Sequence, residues 1–198
     1  MTRAQTARID DEALENLERE FVGRARGRVL EIGAGDGENF GALPHDVQWQ
    51  GLEPDAHRRD ELGRRAREWG HTSPLLAAGA ESIPLPDGSV DTVVGTYVLC
   101  TVQDVAATLA EARRVLAPGG RIIFVDHVAA PRGTWKRGLQ QLATPITTRV
   151  DHGCHWNRDP EPFFAAAGFV PIDVRRHEVT ARPWPAVPTL FFEGRRPA

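Results

Sequence analysis

The chain is poor in the features that staple a protein or insert it into a membrane. Among its 198 residues only two are cysteine, Cys100 and Cys154. A single core at this length buries roughly 70% of the surface of the unfolded chain without help from crosslinks. Both cysteines are therefore read as reduced thiols rather than a disulfide framework. Long apolar runs are also missing: the longest, Phe163 to Val170 with one glycine inside, falls far short of the ~18–20 residues that span a bilayer. The first residues, MTRAQTARIDDEALENLEREF, carry charge every few positions and lack the apolar stretch of a secretory signal. These absences predict a cytoplasmic protein with no integral membrane segment. Excess charge of one sign is absent too. Lys+Arg 24 against Asp+Glu 27 gives a formal charge of -3, which offers no basic surface for a phosphate backbone and argues against a nucleic-acid partner. Tyrosine occurs once, as Tyr97, so the Lys/Tyr pair of one class of nicotinamide-dependent oxidoreductases has no candidate.

What is present alternates between two periods. Leu14, Leu17, Phe21 and Val22 share one face of a helix over residues 11–22. The segment RVLEIG then reads as a short strand ending in glycines, and GENFGAL as a helix start. VQWQGLE reads as a second strand, Pro54 to Trp69 as an exposed arginine-rich helix, Leu75 to Ala78 as a weak strand, and Val90 to Val98 as a buried one. Residues 104–116 form a helix by the spacing of Val105, Leu109, Ala112, Val115 and Leu116, stopped by Pro118, Gly119 and Gly120. The strand RIIFVDHV follows. Gly133 to Val150 suits a helix by Trp135, Leu139, Leu142 and Ile146, yet Pro145 interrupts it. Pro160 to Ala167 reads as a helix, and the strands Phe169 to Glu178 and Thr189 to Gly194 as an antiparallel edge pair. Strands alternating with helices, several apolar on both faces, indicate an α/β fold with a mostly parallel sheet covered on both sides. The length suits a single domain over residues 1–198, with a leading helix in 1–26.

The chemistry concentrates in VLEIGAGDGENF. Gly33, Gly35 and Gly37 allow positive φ and close backbone approach at the carboxyl end of the first strand, where open α/β sheets bind ligands. The spacing is G-x-G-x-G, and Glu38 stands where the dinucleotide fingerprint wants its last glycine. An acid at that helix start repels a pyrophosphate, so a nucleoside without phosphates fits better. Glu53 closes the second strand about twenty residues later, where a carboxylate can accept both hydroxyls of a ribose. The alternative for Glu53 alone is a strand-end acid capping the helix that begins at Pro54.

At these residues the sequence resembles the class I S-adenosylmethionine-dependent methyltransferases. Four segments match in order: VLEIGAGDG, GLEPDA, AESIPLPDGSVDTVVGTYVLCTVQD and RVLAPGGRIIFVDHV. The resemblance implies a Rossmann-like doubly wound sheet and S-adenosylmethionine as cofactor. It also implies that Glu31 lies near the methionine amino group and that Gly33, Ala34, Gly35 and Gly37 lie against the methionine and sugar. Glu53 and Pro54 would meet the ribose, Ala80 and Glu81 the adenine, and Thr96 and Tyr97 the sulfonium side. A narrower resemblance, carried by DHVAAPRGTWKRGLQQLATP and VDHGCHWNRD, is to the methyltransferase-like alkyl thiol S-methyltransferases of animals and their bacterial relatives. The animal proteins carry a hydrophobic anchor where this chain has a charged helix.

The expected activity is methyl transfer to a small molecule, with a thiol as the acceptor. Nitrogen, oxygen and carbon acceptors, such as a quinone, a lipid head group or a natural product, stay open, as does a nucleoside-binding protein without turnover. Residues 131–168 are read as an acceptor-side insertion. His127 and His152 are the candidate bases and Asp126 a candidate orienting acid, each with a scaffold role as its alternative. His155, in the same loop as His152, could also act as a base, with a scaffold role as its stronger alternative. The crowded spacing of His152, Cys154 and His155 lacks the separation usual for zinc ligands, and no second ligand pair shows in the sequence, so no metal is expected.

Overall fold

In a computed structural model the chain is described over residues 7–150, 153–181 and 184–198. Seven strands form one sheet. The elements run β1 (Ala7–Ile9), α1 (Asp11–Val22), β2 (Arg28–Ile32), a 3-10 turn (Glu38–Gly41), β3 (Gln48–Leu52), α2 (Ala56–Glu68), β4 (Val90–Thr96) and α3 (Val105–Val115). They continue with β5 (Leu116–His127), α4 (Trp135–Val150), α5 (Glu161–Ala166), β6 (Val170–Ala181) and β7 (Trp184–Arg195). The strand order is β1-β6-β7-β5-β4-β2-β3. Strands β3, β2, β4 and β5 are mutually parallel, so their carboxyl ends open on one edge.

The apolar strands are buried on both faces because successive side chains point to opposite sides. On β5, Ile122 and Phe124 join one core with Leu109, Ala112 and Val115 of α3 and Phe164 of α5. Their neighbours Ile123 and Val125 join a second core with Phe21 and Val22 of α1 and Leu62 and Ala66 of α2. Three helix starts are capped by side chains: Asp10, Asp55 and Asp104 accept the backbone N–H groups of Ala13, Arg58 and Ala107.

Several expectations meet a different outcome. The anticipated helix at GENFGAL is only the four-residue 3-10 turn, because Gly41 and Pro44 leave no run long enough for an α-helix. The weak strand at Leu75–Ala78 is reduced to one bridge between Leu52 and Leu76, hemmed in by Pro74 and Gly79. The ambiguous segment is a helix that runs through Pro145. Gln140 anchors it, accepting from Ala130 N at 2.8 Å and donating to Val128 O at 3.2 Å. Trp135, Leu139, Leu142 and Ile146 lie on its exposed side. The antiparallel pair β6 and β7 lies at the expected end of the sheet, but β1 adds a further parallel strand beyond β6 that the helical reading of the amino-terminal region missed. His152 lies outside the described residues.

The terminal elements are tied to the sheet by charge. Glu193 on β7 is buried, and its carboxylate accepts from Arg24 at 2.8 Å and Arg121 at 2.7 Å. Arg24 also donates to Asp173 at 3.0 Å and lies 4.2 Å over the Phe21 ring. Breaking a buried pair by removing one partner strands the other charge, which costs about 3–5 kcal/mol. Because Arg121 remains on Glu193, Arg24→Ala should destabilise the fold by about 3 kcal/mol in urea unfolding. A loss below about 0.5 kcal/mol, the size of a surface pair, would show that the network carries no weight.

Candidate active site

The turn after β2 requires glycine on steric grounds. Gly33 and Gly37 have φ of 62° and 80°. A Cβ would lie 2.7 Å from Val98 Cγ2 at the first and 2.2 Å from the Phe40 ring at the second. The backbone therefore runs bare along the mouth of a cavity of about 640 Å³. Gly33, Ala34, Gly35, Glu53, Pro54, Ala80, Glu81, Thr96, Tyr97 and His127 all line it, which brings together most of the residues singled out from the sequence. Gly37 shapes the turn from behind, and Glu31 and Asp126 stand behind the wall.

Glu53 is buried at the end of β3. Its Oε2 accepts from Gly35 N at 2.9 Å and its Oε1 from Asp55 N at 2.9 Å, so one carboxylate fixes both the glycine turn and the start of α2. Each oxygen keeps a lone pair for a ligand in the cavity. Glu81 ties the loop after the Leu76 bridge to α3, its Oε1 accepting from Gln103 N at 2.8 Å.

Glu31 is fully buried. Trp49 Nε1 donates to its Oε2 at 2.6 Å and Asn39 Nδ2 to its Oε1 at 2.7 Å. Burial outweighs these two donors and pushes its carboxyl up to about 7. Asn39, which the sequence reading passed over, also donates to Thr96 Oγ1 at 2.9 Å and itself lines the cavity. An asparagine in a short turn carries no signal of its own.

At the far end Tyr97 adopts φ 56°, the one non-glycine in the left-handed region among the described residues. Its N–H donates to Val125 O at 2.7 Å and its hydroxyl donates to Glu18 of α1. Burial raises the Glu18 carboxyl above its ordinary value. The Tyr97 ring lies 4.6 Å from the His127 ring. Asp126 is buried behind His127 and accepts the Cys100 N–H at 3.2 Å, and burial pushes its carboxyl well above the usual range.

The loop bearing Cys154 is clamped onto this end. His155 N donates to Cys100 O at 2.7 Å, and Arg158 Nη1 donates to Leu99 O at 2.8 Å and Val102 O at 2.7 Å. His155 thus holds its loop to the Cys100 turn through its backbone N–H. The clamp brings donor atoms of Cys100, His127 and Cys154 within 4.8 Å of one another. The sequence spacing could not reveal this grouping, because the three residues come from three separate segments.

The Glu31 carboxyl yields a pH signature. Its folded-state value lies above the unfolded one of 4.5, so the stability it contributes is complete below about 4.5 and declines as pH rises through about 7. The stability difference between wild type and Glu31→Gln in ligand-free urea unfolding should fall across that window by a few kcal/mol. A difference that stays constant with pH would show that Glu31 is ionised throughout.

Comparison with known proteins accounts for this geometry. Residues 30–124 match the profile of the Methyltransferase domain family. Thiol S-methyltransferase TMT1B of Homo sapiens is 33% identical over 189 residues, covering 90% of this chain and 78% of that protein. Thiol S-methyltransferase TMT1A of Homo sapiens is 34% identical over 169 residues, covering 83% and 69%. The crystal structure of YcgJ from Bacillus subtilis superposes with a TM-score of 0.73 at 20% identity over 94% of this chain and 99% of that one, a likeness of fold. The glycine turn, the buried Glu53 and these relatives agree: the chain belongs to the S-adenosylmethionine-dependent methyltransferases.

Proposed function

We propose that this methyltransferase methylates the sulfur of a small thiol. The observation that carries the reading is one continuous cavity joining Glu53 and the glycine turn to Cys100, His127 and Cys154. The relatives named for thiol S-methylation supply the acceptor class. The glycine end fits the cofactor: Gly33, Ala34 and Gly35 line the cavity there, and Glu53 offers a carboxylate to a ribose diol. In this reading Gly33, Ala34 and Gly35 form the bed for the methionine and sugar, and Gly37, off the cavity wall, shapes the turn that carries them. Pro54 adjoins the ribose, Ala80 and Glu81 adjoin the adenine, and Glu31 with Asn39 faces the amino group. Thr96 and Tyr97 flank the sulfonium.

Bound S-adenosylmethionine supplies a methyl carbon activated by its sulfonium. The protein's contribution is alignment. Displacement needs acceptor sulfur, methyl carbon and leaving sulfur in line, and positioning alone is worth several kcal/mol. Tyr97, held by Glu18 and Val125, forms the wall between the two ends. Val98 and Val102 add apolar surface to the cavity wall, which sheds water. The thiolate is the nucleophile, so groups that favour it there raise the rate. His127 is the described imidazole on the cavity wall, Asp126 positions the Cys100 backbone, and Cys154 brings the acceptor-side segment to the cavity. His152 lies outside the described residues and retains its sequence-based candidacy.

Two measurements test the reading. Glu53→Ala should weaken S-adenosylmethionine and S-adenosylhomocysteine alike by roughly tenfold to a hundredfold in titration calorimetry, the worth of hydrogen bonds to a charged group. Unchanged affinity would remove Glu53 from the site. Incubation with methyl-labelled cofactor and a panel of thiols, amines and phenols should place the label on sulfur. Label found only on nitrogen, oxygen or carbon would refute the thiol acceptor while leaving the cofactor site intact.

A further inference from the structure

The acceptor end holds a donor set that thiol chemistry alone does not require. Two thiol sulfurs and one imidazole nitrogen, from Cys100, Cys154 and His127, converge within 4.8 Å of one another, and all three line the cavity. Tetrahedral zinc with Zn–S of about 2.3 Å and Zn–N of about 2.0 Å separates its ligands by roughly 3.5–3.8 Å. A contraction of about 1 Å, within the reach of side-chain rotation, closes the described grouping to that size.

Softness of the donors selects the ion. Thiolate and imidazole suit zinc and its borderline-soft neighbours, whereas magnesium and calcium want oxygen ligands. Three protein ligands with the remaining position facing a cavity is the pattern of an open site, as distinct from a closed structural one.

An independent feature points the same way. Asp126 is 1% exposed and lies against both cysteines. One of its oxygens accepts the Cys100 N–H, while Oδ2 has no partner among the described residues. A buried polar oxygen left without a partner costs free energy that a ligand beside it can offset. Asp126 precedes His127 on β5 and fixes the Cys100 backbone, so it positions two of the three donor residues. The Arg158 clamp explains how the site is assembled: it holds the Cys154 loop against the segment that carries Cys100.

We propose that Cys100, His127 and Cys154 bind one zinc ion at the acceptor end of the cavity, with its fourth position open to an acceptor thiol. The inference rests on the thiol reading for the role of that fourth position, although the ion site itself does not. Zinc coordination deprotonates a thiol outright. The S–H bond breaks, the proton passes to solvent, and the sulfur bonds to the ion as thiolate. No electron is transferred, and the two protein thiols lose their protons in the same way when the ion enters.

The test is made on the full chain, reduced with a phosphine rather than a thiol so that Cys100 and Cys154 cannot oxidise to each other. After loading with Zn2+ and desalting, the wild type should retain one zinc per chain by elemental analysis. Cobalt(II) in its place should give the intense thiolate-to-metal charge-transfer band of a tetrahedral site, shifted by added 2-mercaptoethanol. Cys154→Ser and His127→Asn should each lower retention at least tenfold, while His57→Asn on the exposed face of α2 should not. Binding of S-adenosylhomocysteine by calorimetry identifies which variants remain folded, so either of the two is sufficient. Failure of the wild type to retain zinc, or equal retention by folded Cys154→Ser, overturns the site. Thiol methylation at full rate by zinc-free protein overturns its role and leaves the thiol reading standing. One bound zinc with label passing only to amines or phenols upholds the ion site and overturns the thiol reading instead.

Discussion

The Glu53 carboxylate is the constraint on which the cofactor end depends. It is a buried side chain that accepts two backbone N–H groups, one from the glycine turn after β2 and one from the start of α2. It acts beside the Ala34 N–H, which donates to Leu52 O at 3.1 Å, so the turn is held to β3 at both Ala34 and Gly35. The left-handed glycines make the turn possible, and these two bonds decide where it lies. Parallel pairing of β3, β2, β4 and β5 then sets Glu53, Glu31, Thr96 and His127 at successive strand ends along one edge.

A second anchor governs the opposite end. Arg158 spends its guanidinium on the carbonyls of Leu99 and Val102, and His155 spends its N–H on Cys100. These bonds satisfy carbonyls in the turn between β4 and α3, where no regular element does so. Their consequence is chemical, because the loop they hold carries Cys154 to within reach of Cys100 and His127. Gln140 extends the same logic outward by fixing α4 to the chain just past β5. Among the described residues no helix is long and apolar enough to cross a membrane, and the exposed stripe of α4 is only one face of a helix.

Much of this was legible in the sequence because it is local. The glycine turn, the acid at the end of β3 and the double-faced strands each leave a signature within a few residues, and the structure places them where that signature indicates. Features that depend on distant segments were not legible. The strand β1 is three residues long and exists only because β6 offers it an edge. Glu18 reads as one acid among many on α1, yet it reaches Tyr97 across 79 positions of sequence. The grouping of Cys100, His127 and Cys154 is of the same kind: spacing rules search within a segment, whereas this set is closed by the sheet and a clamped loop. The short turn at Glu38 shows the opposite failure, where a local helix signal met Gly41 and Pro44 before a second turn could form.

The central claim is that one cavity holds the donor at the Glu53 end and presents its sulfur toward Cys100, His127 and Cys154. A crystal structure with S-adenosylhomocysteine tests it most directly. The account predicts both ribose hydroxyls within hydrogen-bonding distance of the Glu53 carboxylate and the thioether sulfur between Thr96 and Tyr97, facing His127. A sulfur directed away from His127, or a ribose bound elsewhere than at Glu53, would contradict it.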